Sequence, residues 1–470
     1  MSKNSELAKN TFIIFIGKFC TQFISFLLIP IYTNLLPTTD YGYIDLVQSY
    51  ISLLVPILIL RLDSGIFRFL IDARNNNDEK NCIVSNTLFF TLLQIILFTV
   101  IFIVINSFFD IKYAFSIGIN IIFLSIASIL LQLTRGVGDN IGYSIGSIIS
   151  GVSTILLNIL FIVKLGKDSS SILIASGISN IICSLFLFFR NKVYKNISIK
   201  NINKPKLKSI LNYSLPMIPD GLSWWIINVS DRSIISFFIS TAANGIYAVS
   251  SKFSNILSSL FLIFNMSWQE SASLHINDKD NEEFFGNIFN TTYKIFFSAC
   301  IGIMVLMPIV FEWLIGDDYV EAYIYIPLLL LANLYSAVAN VIGGIYIAKK
   351  NTKSVAKTTL FAALINLAIN ILMIKKFGLF AAAISTLLSY IALAIYRYID
   401  VQKYIKLKLD YRIFILTMLI FCISGVLYYL NTFILNIINL ILTVSIVLIL
   451  NLDIIKIFIN RVRRKILKEF

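Results

Sequence analysis

Long apolar stretches follow one another along almost the whole chain, parted by short polar segments. A helix needs about 18 or more mostly apolar residues to cross the hydrocarbon core of a bilayer. The pattern predicts about fourteen such spans, near residues 11–36, 43–70, 84–107, 113–134, 142–163, 172–189, 209–239, 244–266, 287–315, 322–348, 355–374, 379–397, 412–430 and 433–456. Only the segments near 190–208, 267–286 and 398–411 are sizeable loops, and none has the length of a folded soluble domain. The expected fold class is all-α, a polytopic membrane protein of about fourteen transmembrane helices. The first span is too long for a signal peptide and lacks a small-residue cleavage site, so it is read as retained.

Composition agrees. Of 470 residues, 58% are hydrophobic and 14% charged, a balance that excludes a soluble globular protein. The net charge of +14 invites a nucleic-acid reading, but the positions of the charges decide otherwise. With the N-terminus inside, 28 Lys and Arg fall on cytoplasmic segments and five (Lys112, Lys164, Lys167, Lys375 and Lys376) on the opposite side. This is the positive-inside pattern, so both termini are expected in the cytoplasm and no nucleic acid is implied. The five cysteines are scattered without a CxxC pair and read as small apolar residues. The lone His275 beside Asp278 and Asp280 gives no basis for a metal site, and no cofactor is expected.

The two halves echo each other. Asn158-Ile159-Leu160 precedes Gly166 as Asn370-Ile371-Leu372 precedes Gly378, Gly177-Ile178-Ser179 answers Ala383-Ile384-Ser385, and Thr38 with Gly42 matches Thr241 with Gly245. Three matches in one order, at offsets of 203 to 212, indicate a duplication. Both copies run in the same direction, the plan of a transporter with its site between two pseudo-symmetric lobes. The expected division is residues 1–207 as an N-terminal lobe, 208–400 as a C-terminal lobe, and 401–470 as two further helices with a basic cytoplasmic tail.

Six cations, Lys18, Arg61, Arg68, Arg232, Lys252 and Lys294, lie inside the apolar spans. A cation in hydrocarbon costs about 3 to 15 kcal/mol, so a chain that repeats this six times is expected to line a watery interior suited to an anion. Arg61, Arg232 and Lys252 lead this cationic set, with Lys18 and Arg68 behind. Lys18 and Lys294 lie about 10 Å from a cytoplasmic end and are within snorkelling reach of it, and Arg68 is equally placed to belong to the interface beside Arg74. Arg61, Gly65, Arg68 and Asp72 share one helical stripe, with Arg68 able to reach Asp72 one turn on. The seventh span carries Asp220, Trp224, Asn228 and Asp231 along one face, then Arg232, and is interrupted early by Pro216 and Pro219. Asp231 and Arg232 are adjacent, so each needs its own partner. Asp45, Asp63, Asp220 and Asp231 are candidate charge partners or carriers of a coupling ion. Trp224 and Trp225 serve as packing or as sugar-stacking platforms. No nucleophile with its base, phosphate-binding glycine loop or ATPase motif is present, so transport fits and enzymatic chemistry does not.

The stretch Tyr213-Ser-Leu-Pro216-Met-Ile-Pro219, followed by Ser223-Trp224-Trp225 and Ser230-Asp231-Arg232, resembles the seventh helix of Wzx-type polysaccharide flippases. These belong to the multidrug/oligosaccharidyl-lipid/polysaccharide (MOP) exporter superfamily. Lys376-Phe-Gly378-Leu-Phe-Ala381-Ala-Ala, preceded by Asn366 and Asn370, and Tyr41-Gly42-Tyr43 are also typical of that family. The resemblance implies a MATE-like fold of fourteen helices in two lobes around a central cationic cavity. It further implies alternating access and a lipid-linked oligosaccharide (an O-antigen or capsule repeat unit) carried outward on undecaprenyl pyrophosphate across the bacterial plasma membrane. Glycan polymerase and chain-length machinery are the partners it suggests beside membrane lipids. A lipid II flippase for peptidoglycan is the alternative, and a membrane glycan polymerase is a more distant one because the outer loops are short. Multidrug members typically rely on an acid in the first helix, where this chain has Lys18, which counts against drug or cation antiport.

Overall fold

The computed structural model describes residues 26–349, 351–453 and 456. Most of the expected first span, including Lys18, lies outside the described residues. The chain opens with α1 (Ile29–Leu35), α2 (Thr38–Leu58), α3 (Leu62–Asp72), α4 (Asn77–Phe109), α5 (Ala114–Gly136), α6 (Asn140–Asn158, continued as a π-helical turn to Lys164), α7 (Ser170–Arg190) and α8 (Val193–Asn196). It continues with α9 (Lys204–Ser214), α10 (Ile218–Phe238), α11 (Thr241–His275), α12 (Asn281–Leu314), α13 (Ile326–Ala348), α14 (Thr352–Phe377), α15 (Leu379–Val401), α16 (Tyr411–Leu430) and α17 (Phe433–Leu450). Twelve of the described helices are long and apolar enough to cross a membrane. The two expected spans missing from that set are the first and the seventh, α10, which carries Asp231 and Arg232. The protein is an all-α, multi-pass membrane protein.

Two expectations need correction. The second span is not one helix. Leu60 and Arg61 adopt left-handed φ values of 50° and 55°, and the chain restarts as α3. Pro56 supplies no amide to the turn before it and so weakens α2 near its end. The Arg61 amide then closes a wide turn onto the Pro56 carbonyl at 3.0 Å. The expected loop at 267–286 is mostly helix, because α11 runs to His275 and α12 begins at Asn281. Aromatic packing extends both helices past the apolar window. Trp268 is buried and meets Phe285 edge-on at 5.4 Å, while His275 lies 4.7 Å from Phe284.

The chain divides into two compact units, Met1–Ala248 and Val249–Phe470. In the first, the ends of α2 and α7 pack with α3, α5, α9 and the start of α4 around Leu62, Ile66, Ile83, Leu130, Leu187 and Ile210. Two neighbouring side chains of α4 hold the segment near 190–208 against it. Ser85 Oγ donates to the Asn196 carbonyl at 3.1 Å, and Asn86 receives the Asn203 amide at 3.0 Å. In the second unit, Arg397 of α15 is 2% exposed. Its guanidinium donates to Thr358 Oγ1 (3.1 Å), Thr359 Oγ1 (3.0 Å) and the Ala339 carbonyl (2.9 Å), so it fastens α13, α14 and α15 together.

The duplication is visible in the backbone. α5 and α13 are both 23 residues long, offset by 212 positions. Asp139 caps α6 by accepting the Gly142 amide, and Asn351, also 212 positions on, caps α14 by accepting the Ser354 amide. Gly166 and Gly378 end the following segments with the same φ of 56°, a conformation that glycine adopts without a Cβ penalty.

Asp139 also receives a two-pronged contact from Arg190, at 2.6 and 3.1 Å. Burial pushes its carboxyl up, but the bonds from Arg190 and the Gly142 amide outweigh this and hold it below the usual carboxylate range. Replacing Asp139 with Ala is expected to lower stability in detergent by about 1–2 kcal/mol at neutral pH. A depressed folded-state value gives stability that is full above the unfolded value of about 3.9 and lost as pH falls through the folded one. The deficit of the variant should therefore shrink below about pH 4, as read from unfolding midpoints across pH.

Candidate functional site

The polar residues of α2, α3, α10 and the start of α11 form two separate groups in the first unit, and two backbone breaks shape the one around Arg61. The first is the Leu60–Arg61 turn between α2 and α3. The second is the 3₁₀ turn Leu215–Met217 between α9 and α10, set by Pro216 and Pro219 where the sequence places the interruption. Both breaks border one small cavity of about 30 Å³, lined by Ser52, Leu53, Pro56, Ile57 and Arg61 from one side and Ile218, Gly221 and Leu222 from the other. That volume holds one or two waters. Arg61 Nε is buried and has no hydrogen-bond partner among the described residues. A guanidinium cannot shed its charge, so this N–H is left for water or for an anion. Two left-handed residues in succession cost roughly 1–2 kcal/mol each, and they place Arg61 at the open end of α2. Strain at a charged side chain in a break of the membrane helices makes Arg61 a candidate functional residue.

Farther along α10, Arg232 donates from Nε to Asp45 Oδ2 at 3.1 Å and from Nη1 to the Asn228 carbonyl at 3.2 Å. The two side chains are 12% and 10% exposed, so this is a buried ion pair. The guanidinium also lies 5.9 Å over the Tyr247 ring. Tyr247 in turn donates from its hydroxyl to Asp231 Oδ2 at 3.0 Å, and Asp231 is 2% exposed. Asp231 and Arg232 thus take different partners, as their adjacency requires. The pairing changes the reading of Arg232, because Asp45 cancels its charge locally and occupies part of its donor fork. It equally turns Asp45 into a structural partner of a fixed cation.

The other sequence candidates fall as follows. Arg68 donates to Asp72 at 2.7 Å, one turn on as the stripe predicts, and both are exposed. Solvent screens so exposed a pair, and it adds little to stability. Asp63 lies in the first turn of α3, with Oδ1 buried and unpartnered among the described residues. Trp225 donates its indole N–H to the Ser49 carbonyl at 2.9 Å and stands 6.1 Å from the Tyr50 ring, so it ties α10 to α2. Trp224 points elsewhere and is 60% exposed. Lys252 and Lys294 lie in the second unit, half-buried on α11 and α12. Lys18 and the side chain of Asp220 are outside the described residues. The sequence reading missed Tyr247 and Asn244 of α11. Their spacing of three, together with Ser251 four residues beyond Tyr247, marks one polar face of that helix.

Comparison with known proteins extends this picture. A family model described as "Polysaccharide biosynthesis protein" matches residues 7–268. The probable low-salt glycan biosynthesis flippase Agl15 of Haloferax volcanii is 21% identical over 421 residues, which cover 86% of each chain. Among solved structures, an inward-facing multidrug resistance MATE transporter of the MOP superfamily matches with a TM-score of 0.71 at 14% identity, over 82% of this chain and 95% of that one. The lipid II flippase MurJ, in an inward closed conformation, matches with a TM-score of 0.69 at 18% identity, over 95% and 100%. At such identities the structural likeness establishes the fold. Because the family match spans more than half of the chain, this protein belongs to the polysaccharide biosynthesis protein family, and its fold is that of the MOP-superfamily exporters.

Proposed function

We propose that this protein is a flippase that moves an undecaprenyl-pyrophosphate-linked oligosaccharide from the cytoplasmic to the outer leaflet of the bacterial plasma membrane by alternating access. The family match and the flippase relative support the transporter class. The observation that carries the anionic substrate is Arg61, a cation fixed at a helix break with an unpartnered Nε beside a water-sized cavity. Arg61 is the first anchor for pyrophosphate, through charge-assisted contacts that suit a planar fork. Lys252 and Lys18 are further cationic candidates, with Arg68 near the interface. Arg232 becomes available only if its pair with Asp45 opens, so the pair acts as a reserve of charge that an entering anion competes for. Trp224, exposed on α10, is the sugar-stacking candidate. Asp63, Asp220 and Asp231 are the carboxylates left to carry a coupling ion.

Moving two negative charges outward along an inside-negative potential is favourable by about 4–5 kcal/mol per 100 mV. That drive supports export without a coupling ion. Lipid II is the alternative cargo, favoured by the near full-length likeness to the lipid II flippase. Depletion separates the two, since lysis indicates peptidoglycan and survival with loss of surface glycan indicates the oligosaccharide.

Replacing Arg61 with Ala is expected to abolish glycan display while membrane abundance stays normal, and Lys at this position should restore only part of it. Immunoblots of membranes beside glycan staining check both. The buried pair behaves differently. Asp45→Ala or Arg232→Ala alone should cost about 3 kcal/mol or more, because each strands an opposite charge. The double variant should lose clearly less than the sum, as read from detergent unfolding midpoints.

A further inference from the structure

In the second unit, the segment between α15 and α16 is held in place at several points, and transport gives it no role. Ile405 and Leu407 are buried, and the Leu407 carbonyl accepts from the Tyr398 hydroxyl at 3.4 Å and from Gln402 Nε2 at 3.1 Å. Asn290 of α12 grips the segment from the other side. Its Nδ2 donates to the Lys408 carbonyl at 3.3 Å, and its Oδ1 accepts the Asp410 amide at 3.2 Å. The two backbones run close here, since a Cβ at Gly286 would touch the Lys408 carbonyl oxygen at 3.5 Å. Beside these bonds lies an open recess of about 470 Å³, lined by Asn290, Lys408, Leu409, Asp410, Tyr411 and Arg412.

The charges lining the recess do not cancel. Asp410 commits Oδ1 to the Arg412 and Ile413 amides, at 3.1 and 3.3 Å, as the cap of α16. Lys403, outside the recess, pairs with Asp400 at 2.8 Å, whereas Lys408 and Arg412 are exposed and have no ion-pair partner among the described residues. Two cations against one carboxylate leave the recess positive. Lys294, half-buried one turn inward from Asn290 on α12, is within snorkelling reach of it. What lies below the recess narrows the choice of ligand. Arg412 heads a stripe on α16 that continues through Leu416, Leu419 and Ile423, at i+4, i+7 and i+11, each half or more exposed. Inorganic phosphate would gain nothing from that stripe. A molecule with an anionic head and acyl chains uses both parts.

We propose that this recess binds an anionic phospholipid of the cytoplasmic leaflet, with the phosphate between Lys408 and Arg412 and the acyl chains along Leu416, Leu419 and Ile423. Lys403, Lys406, Lys408 and Arg412 follow within ten residues, and the positive-inside rule puts such an edge on the cytoplasmic side. Anionic lipids attract basic residues there. The free oxygens of a phosphodiester accept charge-assisted bonds from both cations. The site lies in the second unit, whereas Arg61 lies in the first, so the proposal goes beyond the flippase reading and stands without it.

The test uses the full-length protein in proteoliposomes that contain a photoactivatable phosphatidylglycerol, with the cross-links mapped on peptides. Cross-links should concentrate on peptides from residues 403–423, and unlabelled phosphatidylglycerol should compete for them far better than phosphatidylcholine does. One cation near the membrane surface is worth about fivefold in affinity, so Lys408→Gln with Arg412→Gln should weaken binding about 25-fold. Exchanging the two cations, Lys408→Arg with Arg412→Lys, keeps the charge and should leave labelling near the parental level, which separates loss of charge from loss of fold. Labelling of this region that survives the double Gln variant, or that phosphatidylcholine competes equally well, overturns the proposal. A fall as large in the exchanged variant as in the double Gln variant overturns it too. If excess inorganic phosphate abolishes the labelling, the recess takes a soluble anion and the lipid assignment fails.

Discussion

A charge placed among membrane helices must be either neutralised or hydrated, and the structure is arranged around that requirement. The chain meets it in three ways. Arg232 is neutralised by Asp45, 187 positions away in sequence, and supported by the Tyr247 ring. Arg397 has its N–H groups taken up by hydroxyls and a carbonyl of two neighbouring helices. Arg61 receives neither treatment at Nε and instead borders a cavity the size of a water or two. The first two solutions build the scaffold, and the third leaves a cation with unused donor capacity at Nε among the described residues.

The backbone serves the same end. Breaks at Leu60–Arg61 and Leu215–Met217 expose carbonyls and amides that hydrocarbon would penalise, and both border the Arg61 cavity, where polar surroundings compensate. Close helix crossings occur where glycine removes the side chain, at Gly42 with Gly245 and at Gly344 against Trp268. The faces of α4, α16 and α17 carry the exposed leucines, isoleucines and valines suited to lipid.

Much of the fold was legible because membrane helices announce themselves through uninterrupted apolar runs, and because caps and glycine turns leave residues at fixed offsets. Asn158 with Asn370 and Gly166 with Gly378 disclosed the duplication, and matching helix lengths and φ values express it in the backbone. Pro216 and Pro219 marked one break correctly. The other was hidden, since Leu60 and Arg61 are ordinary residues forced into a left-handed turn and only Pro56 hints at it. Aromatic stacking carried α11 and α12 past their apolar windows. The least legible feature was partnership. The sequence set Arg232 among the cavity cations with Asp45 as one of four candidate partners, because nothing local reveals that Asp45 reaches it, and the oxygen partners of Arg397 come from α13 and α14. Burial of a charged group is a property of tertiary packing, so composition and periodicity could nominate these residues but not assign their roles.

Arg61 is proposed as the anchor of a pyrophosphate group, beside a cavity that in this structure has room for one or two waters. Gly221 lines that cavity, and among the described residues nothing lies within 4 Å of the place a side chain would take there. The most direct measurement is therefore the rate at which a cysteine at Gly221 reacts with a water-soluble thiol reagent in proteoliposomes, with and without a polyprenyl-pyrophosphate-linked oligosaccharide. Fast reaction that the lipid-linked glycan suppresses, and that a polyprenyl alcohol without phosphate leaves unchanged, is the expected result. A cysteine that stays unreactive, or one whose reaction the glycan does not slow, would contradict it.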